Sequence, residues 1–199
     1  MIKGKVVLEH PERFSGTYEI SREKLVKAVE AATVLAVQKP IIAETDVSSF
    51  TYKVLNGTYC QLTGYTGTDT EVRIPGEIDG YIVQSIGNNV FQNNKTLTAV
   101  AFPETIETMG TYVFSGCTAL TDVRLNVGLT NIGAYAFNGC TALAEITIPG
   151  SVAAIGDRAF EGCAVLQTVV KHEGTAQIGA YAFNGCTGLT EISLAEGLT

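Results

Sequence analysis

Four of the chain's five cysteines, Cys117, Cys140, Cys163 and Cys186, stand 23 residues apart, and they are the first residues whose type could do chemistry. Thiolates in groups hold zinc or close disulfides, and a single thiolate beside a base is a nucleophile. The spacing argues against all three. No Cys-x-x-Cys occurs, and His10 and His172 have no ligand-like partner near them in sequence, so zinc is not expected. Equivalent residues on stacked parallel coils lie about 4.8 Å apart, whereas a disulfide needs Cβ atoms about 3.8 Å apart and suitably angled. A nucleophile needs a base and a partly exposed setting, which a repeated column does not supply. We therefore expect four reduced thiols in a buried column, acting as small hydrophobes with a weak donor. No catalytic residue, metal or cofactor is expected.

The elements that hold this column repeat at the same interval. Phe91, Phe114, Phe137, Phe160 and Phe183 are each 23 residues from the next. A fixed period in this range means that each unit cannot bury its own apolar side and must stack on its neighbours, so the chain is a solenoid. Five residues before each Phe stand Ile86-Gly87, Met109-Gly110, Ile132-Gly133, Ile155-Gly156 and Ile178-Gly179, a corner where glycine suits a special backbone conformation or a close approach. Asn94 takes the cysteine position in the first copy, where its amide can bond loop backbone. After Leu97, Leu120, Leu143, Leu166 and Leu189 the spacing becomes period two: Val100 and Phe102, Val123 and Leu125, Ile146 and Ile148, Val169 and Lys171, Ile192 and Leu194. That pattern is a strand per coil, building a parallel sheet with one face inward. Pro103 and Pro149 end the strand in two copies. Ile106, Leu129 and Val152 mark a second short extended segment before the corner.

Function in such a fold is sought on a surface. On alternation alone the outward positions of the strand are Ala99 and Ala101, Asp122 and Arg124, Glu145 and Thr147, Thr168 and Val170, Glu191 and Ser193. Asp122, Glu145 and Glu191 would form an acidic strip nearly in register, and solenoids bind partners along extended surfaces of this kind. The candidate binding residues are thus Asp122, Arg124, Glu145, Thr147, Thr168, Val170, Glu191 and Ser193. In the fourth copy Val169-Val170-Lys171-His172-Glu173 breaks the pattern, which predicts a bulge that turns Val170 inward and Lys171 outward.

Residues 1–49 have no 23-residue register and form a separate N-terminal segment. Ser21 opens a helix with Leu25, Ala28, Val29, Ala32, Leu35 and Ala36 on one face, stopped by Pro40. This segment is too short for a pocket of its own, and it offers His10 and scattered carboxylates but no nucleophile motif. Residues 50–199 form the solenoid: a capping hairpin at about 50–62, an opening coil at about 65–86 and the repeats at about 86–199. Asn56-Gly57, between Phe50–Leu55 and Thr58–Leu62, suits a type I′ turn. Such a hairpin would cover the first coil, whose open end would otherwise expose apolar side chains and strand edges. Leu194 to Thr199 offer no comparable cap, so a homodimer through the C-terminal coil, or a self-assembling scaffold or spacer, is the alternative role.

The 199 residues carry 13 Lys and Arg against 20 Asp and Glu, a net charge of −7. That balance repels phosphate backbones and argues against nucleic acid as a partner class. No run of about 18 apolar residues occurs, so no membrane insertion is expected. The residues after Met1 are too short and too charged a run for a secretory signal, which leaves a cytoplasmic location open.

The repeat also resembles a known family, the BspA-like leucine-rich repeats of bacterial surface proteins and some protozoa. Ile132-Gly133, then Ala136-Phe137-Asn138-Gly139-Cys140-Thr141-Ala142-Leu143, then Ile146-Thr147-Ile148-Pro149-Gly150-Ser151-Val152 is close to that family's unit. Tyr65 to Asp69, Ile74-Pro75, Ile78 to Gly80 and Ile86-Gly87 resemble its opening coil. The resemblance covers about Thr58 to Thr199. It implies an α/β repeat, a right-handed leucine-rich-repeat solenoid with a parallel sheet, here with an N-terminal helix and a β-hairpin cap. It further implies no catalytic residues and a role in adhesion or protein binding at a cell surface or after secretion. Together with the outward row, the expectation is a non-enzymatic module that binds a protein or glycan through the outward face of the sheet.

Overall fold

The computed structural model describes residues 41–171 and 177–193. The helix expected after Ser21, His10, His172 and the C-terminal coil end from Leu194 onward lie outside the described residues. The chain divides into two units at Ile41 and Ile42, and the description below concerns the second.

Each coil of about 23 residues contributes two short strands. The first set is β1 (Phe50–Val54), β2 (Tyr59–Tyr65), β5 (Tyr81–Ile86), β7 (Thr108–Met109), β9 (Asn131–Ile132), β11 (Ala154–Ile155) and β13 (Gln177–Ile178). These run side by side in that order, with β4 (Glu77–Ile78) paired to β5. The second set is β3 (Glu71–Arg73), β6 (Ala99–Ala101) and β8 (Asp122–Arg124) in one sheet, and β10 (Glu145–Ile148), β12 (Thr168–Lys171) and β14 (Glu191–Ser193) in another. Coil-to-coil pairing is parallel throughout the repeats.

Among the described residues there is no α-helix, only a 3-10 turn at Val47–Ser49, so the α/β repeat is corrected to a β-solenoid whose remaining side is made of turns. The hydrogen bonding explains why. In the turn segment Tyr112, Phe114 and Gly116 donate their N–H groups to the carbonyls of Ala134, Ala136 and Asn138 one coil on, rather than to residues four back. Each segment also passes twice through left-handed backbone, at Tyr112 (φ 57°) and Gly116 (φ 72°) in this coil, which no helix allows.

The core is a stack of like residues. Phe91, Phe114, Phe137 and Phe160 are at most 2% exposed, and consecutive rings from Phe91 to Phe183 lie 5.1–5.3 Å apart with planes within 12°. Offset stacking of this kind adds to plain burial. The corner glycines act by close approach: a Cβ on Gly156 would stand 2.5 Å from Ala134 N, and one on Gly133 would collide with the Gly110 carbonyl. None of the five corner glycines has positive φ.

The hairpin covers the first coil with aromatic rings. β1 and β2 pair antiparallel with Phe50 opposite Tyr65, and both rings meet Phe91, at 6.5 and 5.1 Å. Its turn differs from the expected type I′. Neither Asn56 nor Gly57 has positive φ; instead Asn56 Oδ1 accepts from Thr58 N and Tyr59 N at 2.9 and 3.1 Å, closing a longer loop. Asn94 works similarly, its Oδ1 accepting from the N–H groups of Thr96 and Leu97 at 3.1 and 3.0 Å.

The expected bulge at Val170 is absent. Glu145 to Ile148 pair with Thr168 to Lys171 without a register shift, and Val170 is 38% exposed. A continuous ladder on both sides of β12 holds the strand in phase, so the pattern break at Lys171 is absorbed without slipping.

Candidate functional site

The outward face is built by strands whose central residues anchor it. Val100, Val123, Ile146 and Val169 are at most 7% exposed, so alternation turns their sequence neighbours the other way, although Ala99, expected on the outward face, is itself only 6% exposed. Pairing then aligns those neighbours: Ala99 with Asp122 and Ala101 with Arg124, Glu145 with Thr168 and Thr147 with Val170, Thr168 with Glu191 and Val170 with Ser193. Six of the candidate residues therefore share one ladder. Asp122 and Arg124 belong to the other sheet, because no ladder joins β8 to β10. The single continuous sheet expected from the repeat is two sheets in register order.

The acidic strip is also altered. Arg124 Nε and Nη2 lie 2.9 and 2.7 Å from Asp122 Oδ2, with the two side chains 28% and 20% exposed. The pair neutralises itself on the surface, while Glu145 and Thr147 are exposed.

Sequence reasoning missed the first rung of this face. β3 pairs Glu71 with Ala99 and Arg73 with Ala101, extending both outward rows toward the N-terminus. The signal was present, since Val72 and Ile74 alternate with Glu71 and Arg73 before Pro75, as Val100 and Phe102 do before Pro103. Beside this rung, Arg73 N donates to Thr45 Oγ1 at 3.0 Å and the Arg73 guanidinium lies 3.8 Å from Glu44. A cleft of about 450 Å³ opens there, walled by Ile74, Pro75, Phe102 and Pro103 and edged by Glu44, Glu77 and Glu104.

The column thiols bond to the backbone of the preceding coil, with Cys117, Cys140 and Cys163 buried as expected and Cys186, in the last copy, only half-buried. Cys117, Cys140, Cys163 and Cys186 each donate Sγ–H to the carbonyl of the Phe one coil back, at 3.0, 3.2, 3.1 and 3.1 Å. Burial pushes the thiols of Cys117 and Cys163 up to about 11 and about 12, and that of Cys140 further still. Thiols so protonated at neutral pH are poor nucleophiles and poor metal ligands. Among the described residues no three His, Cys, Asp or Glu side chains converge to hold a metal ion, and no helix is long and apolar enough to cross a membrane.

These features can be set beside known proteins. A structure of a leucine-rich repeat protein from T. pallidum is similar, with a TM-score of 0.72 and 32% identity over 74% of this chain and 69% of that one. Another from Bacteroides capillosus has a TM-score of 0.55 and 29% identity, covering 64% of this chain and 97% of its own. A third from Bacteroides ovatus has a TM-score of 0.55 and 26% identity, covering 74% of this chain and 46% of its own. No curated protein matches the chain. The family model for the BspA type leucine rich repeat region matches residues 81–199 in six copies, which takes in the Phe, Gly and Cys columns and the outward strands from β6 onward. By the coil, its stacked core and this match, the chain belongs to the BspA-type leucine-rich-repeat family.

Proposed function

We propose that this solenoid is a non-enzymatic interaction or adhesion module that binds a protein or glycan through the outward face of its repeat sheets, at a cell surface or after secretion. The observation that carries the reading is the ladder setting Glu145, Thr168 and Glu191 in one row and Thr147, Val170 and Ser193 in the next. A partner meets there polar positions at coil spacing with an exposed valine among them, backed by a close-packed core. Rigid placement of this kind lowers the entropy lost on binding. The family match and the similar leucine-rich repeat structures support a protein-interaction role. Adhesion and the surface location are what the family resemblance suggests, and the glycan alternative is a further part of the proposal.

The test is a panel of glycans and extracellular matrix proteins, probed by biolayer interferometry with the wild-type chain and two variants. The face variant carries Glu145→Lys, Thr147→Ala and Thr168→Ala; the control carries Asp157→Asn, an exposed position on another part of the coil, which keeps the Oδ1 that accepts from Ala180 N. The face variant should lose about tenfold or more against any binder, a loss of about 1.4 kcal/mol, with the control unchanged. Equal losses in both, or none in the face variant, would place binding elsewhere.

A further inference from the structure

Two residues before each Phe runs a second column, Asn89, Tyr112, Tyr135, Arg158 and Tyr181, on a different part of the coil from the sheet face. All five have left-handed φ, between 54° and 62°, so their side chains leave the coil in the same direction and align above one another. Tyr112 and Tyr135 stack with ring centroids 4.6 Å apart and planes 11° from parallel. Arg158 takes the next rung, its guanidinium 5.8 Å from the Tyr135 ring and 4.9 Å from the Tyr181 ring. The cation is fixed by Glu161, whose two oxygens lie 3.2 and 3.3 Å from Arg158 Nη1. Glu161 accepts in turn from Asn184 Nδ2 at 2.9 Å and Asn138 Nδ2 at 3.3 Å.

The chain thus fills one rung of an aromatic ladder with its own planar cation. At Asn89 the column has no ring, and the face of Tyr112 on that side has no ring or guanidinium partner among the described residues. Tyr181 at the other end is 64% exposed. We propose that this ladder is a docking strip for arginine side chains of a basic protein segment, Arg158 being an internal occupant of the site that the Asn89 rung offers from outside. A guanidinium fits because it is flat, stacks on a ring and keeps its donors free at the edge, which an ammonium does not. The net charge of −7 favours a cationic partner. This inference concerns a separate surface and stands whether or not the sheet face binds.

Isothermal titration of the full chain with hexa-arginine and hexalysine peptides separates stacking from plain charge attraction. The arginine peptide should bind about fivefold tighter than the lysine peptide. Tyr112→Leu combined with Tyr181→Leu should reduce it to the lysine level, while Tyr→Phe at both places keeps the preference. Asn89→Arg, which supplies the missing cation from within and leaves every tyrosine in place, should also narrow the gap between the peptides. Equal affinity for the two peptides, no binding by either, or a preference that survives the Leu variant would overturn the proposal.

Discussion

Two glycine columns that look alike in sequence are needed for opposite reasons. Gly133 has no room for a Cβ, since the Gly110 carbonyl occupies that space, whereas Gly139 has φ of 70° and a Cβ there would sit 3.9 Å from Gly116 Cα. Gly133→Ala should therefore cost about 3 kcal/mol by overpacking, and Gly139→Ala about 1 kcal/mol by backbone conformation alone, both read from urea unfolding of the full chain. The thiols make a pH-dependent contribution with a definite sign. Below about pH 9, their ordinary value, they are protonated in both states. Between there and the raised values of about 11 for Cys117 and about 12 for Cys163, the unfolded chain ionises while the folded one does not. Stability should fall across that window, and Cys117→Ala with Cys163→Ala should flatten the fall; an unchanged slope would remove the thiols from the account. The Phe and Cys columns were legible because their residue types repeat. The left-handed column was not, because nothing in tyrosine or arginine announces positive φ; the strain at Tyr112, Tyr135 and Arg158, commonly about 1–3 kcal/mol per residue, is offset in part by stacking and cation–π contact.

At the level of elements, period two located the outward strand and its candidate residues, but alternation within a strand says nothing of pairing between strands. That is why Asp122 and Arg124 were grouped with Glu145, although β8 and β10 share no ladder. It is also why Lys171 suggested a bulge: the sequence shows the odd residue and not the two neighbouring strands that hold β12 in phase. The corrected register has a direct consequence. Val170→Lys places a charge on an already exposed position and should change stability by no more than about 0.5 kcal/mol. A slipped strand with Val170 inside would make the same substitution cost several times as much, and thermal unfolding of the variant distinguishes the two. The hairpin's existence was plain from its sequence, whereas its loop was not, since Asn56 serves through its side-chain oxygen rather than through left-handed backbone.

At the scale of the molecule, a stack of coils separates the packing that sets stability from the outward positions. The Phe stack and the coil-to-coil backbone bonds set the spacing, and the outward positions can vary without disturbing it, because each coil answers only to its neighbours. The face then extends from Glu71 and Arg73 on the first rung through Ser193 on β14, with the cleft beside Arg73 at one end. Among the described residues Cys117, Cys140 and Cys163 are buried while Cys186 is half-buried. The decisive measurement is amide hydrogen exchange of the full chain with and without a binder found on the glycan and matrix-protein panel. Binding through the sheet face should slow exchange at the edges and flanks of β8, β10 and β12. Protection confined to other parts of the coil, with these strands unchanged, would contradict it.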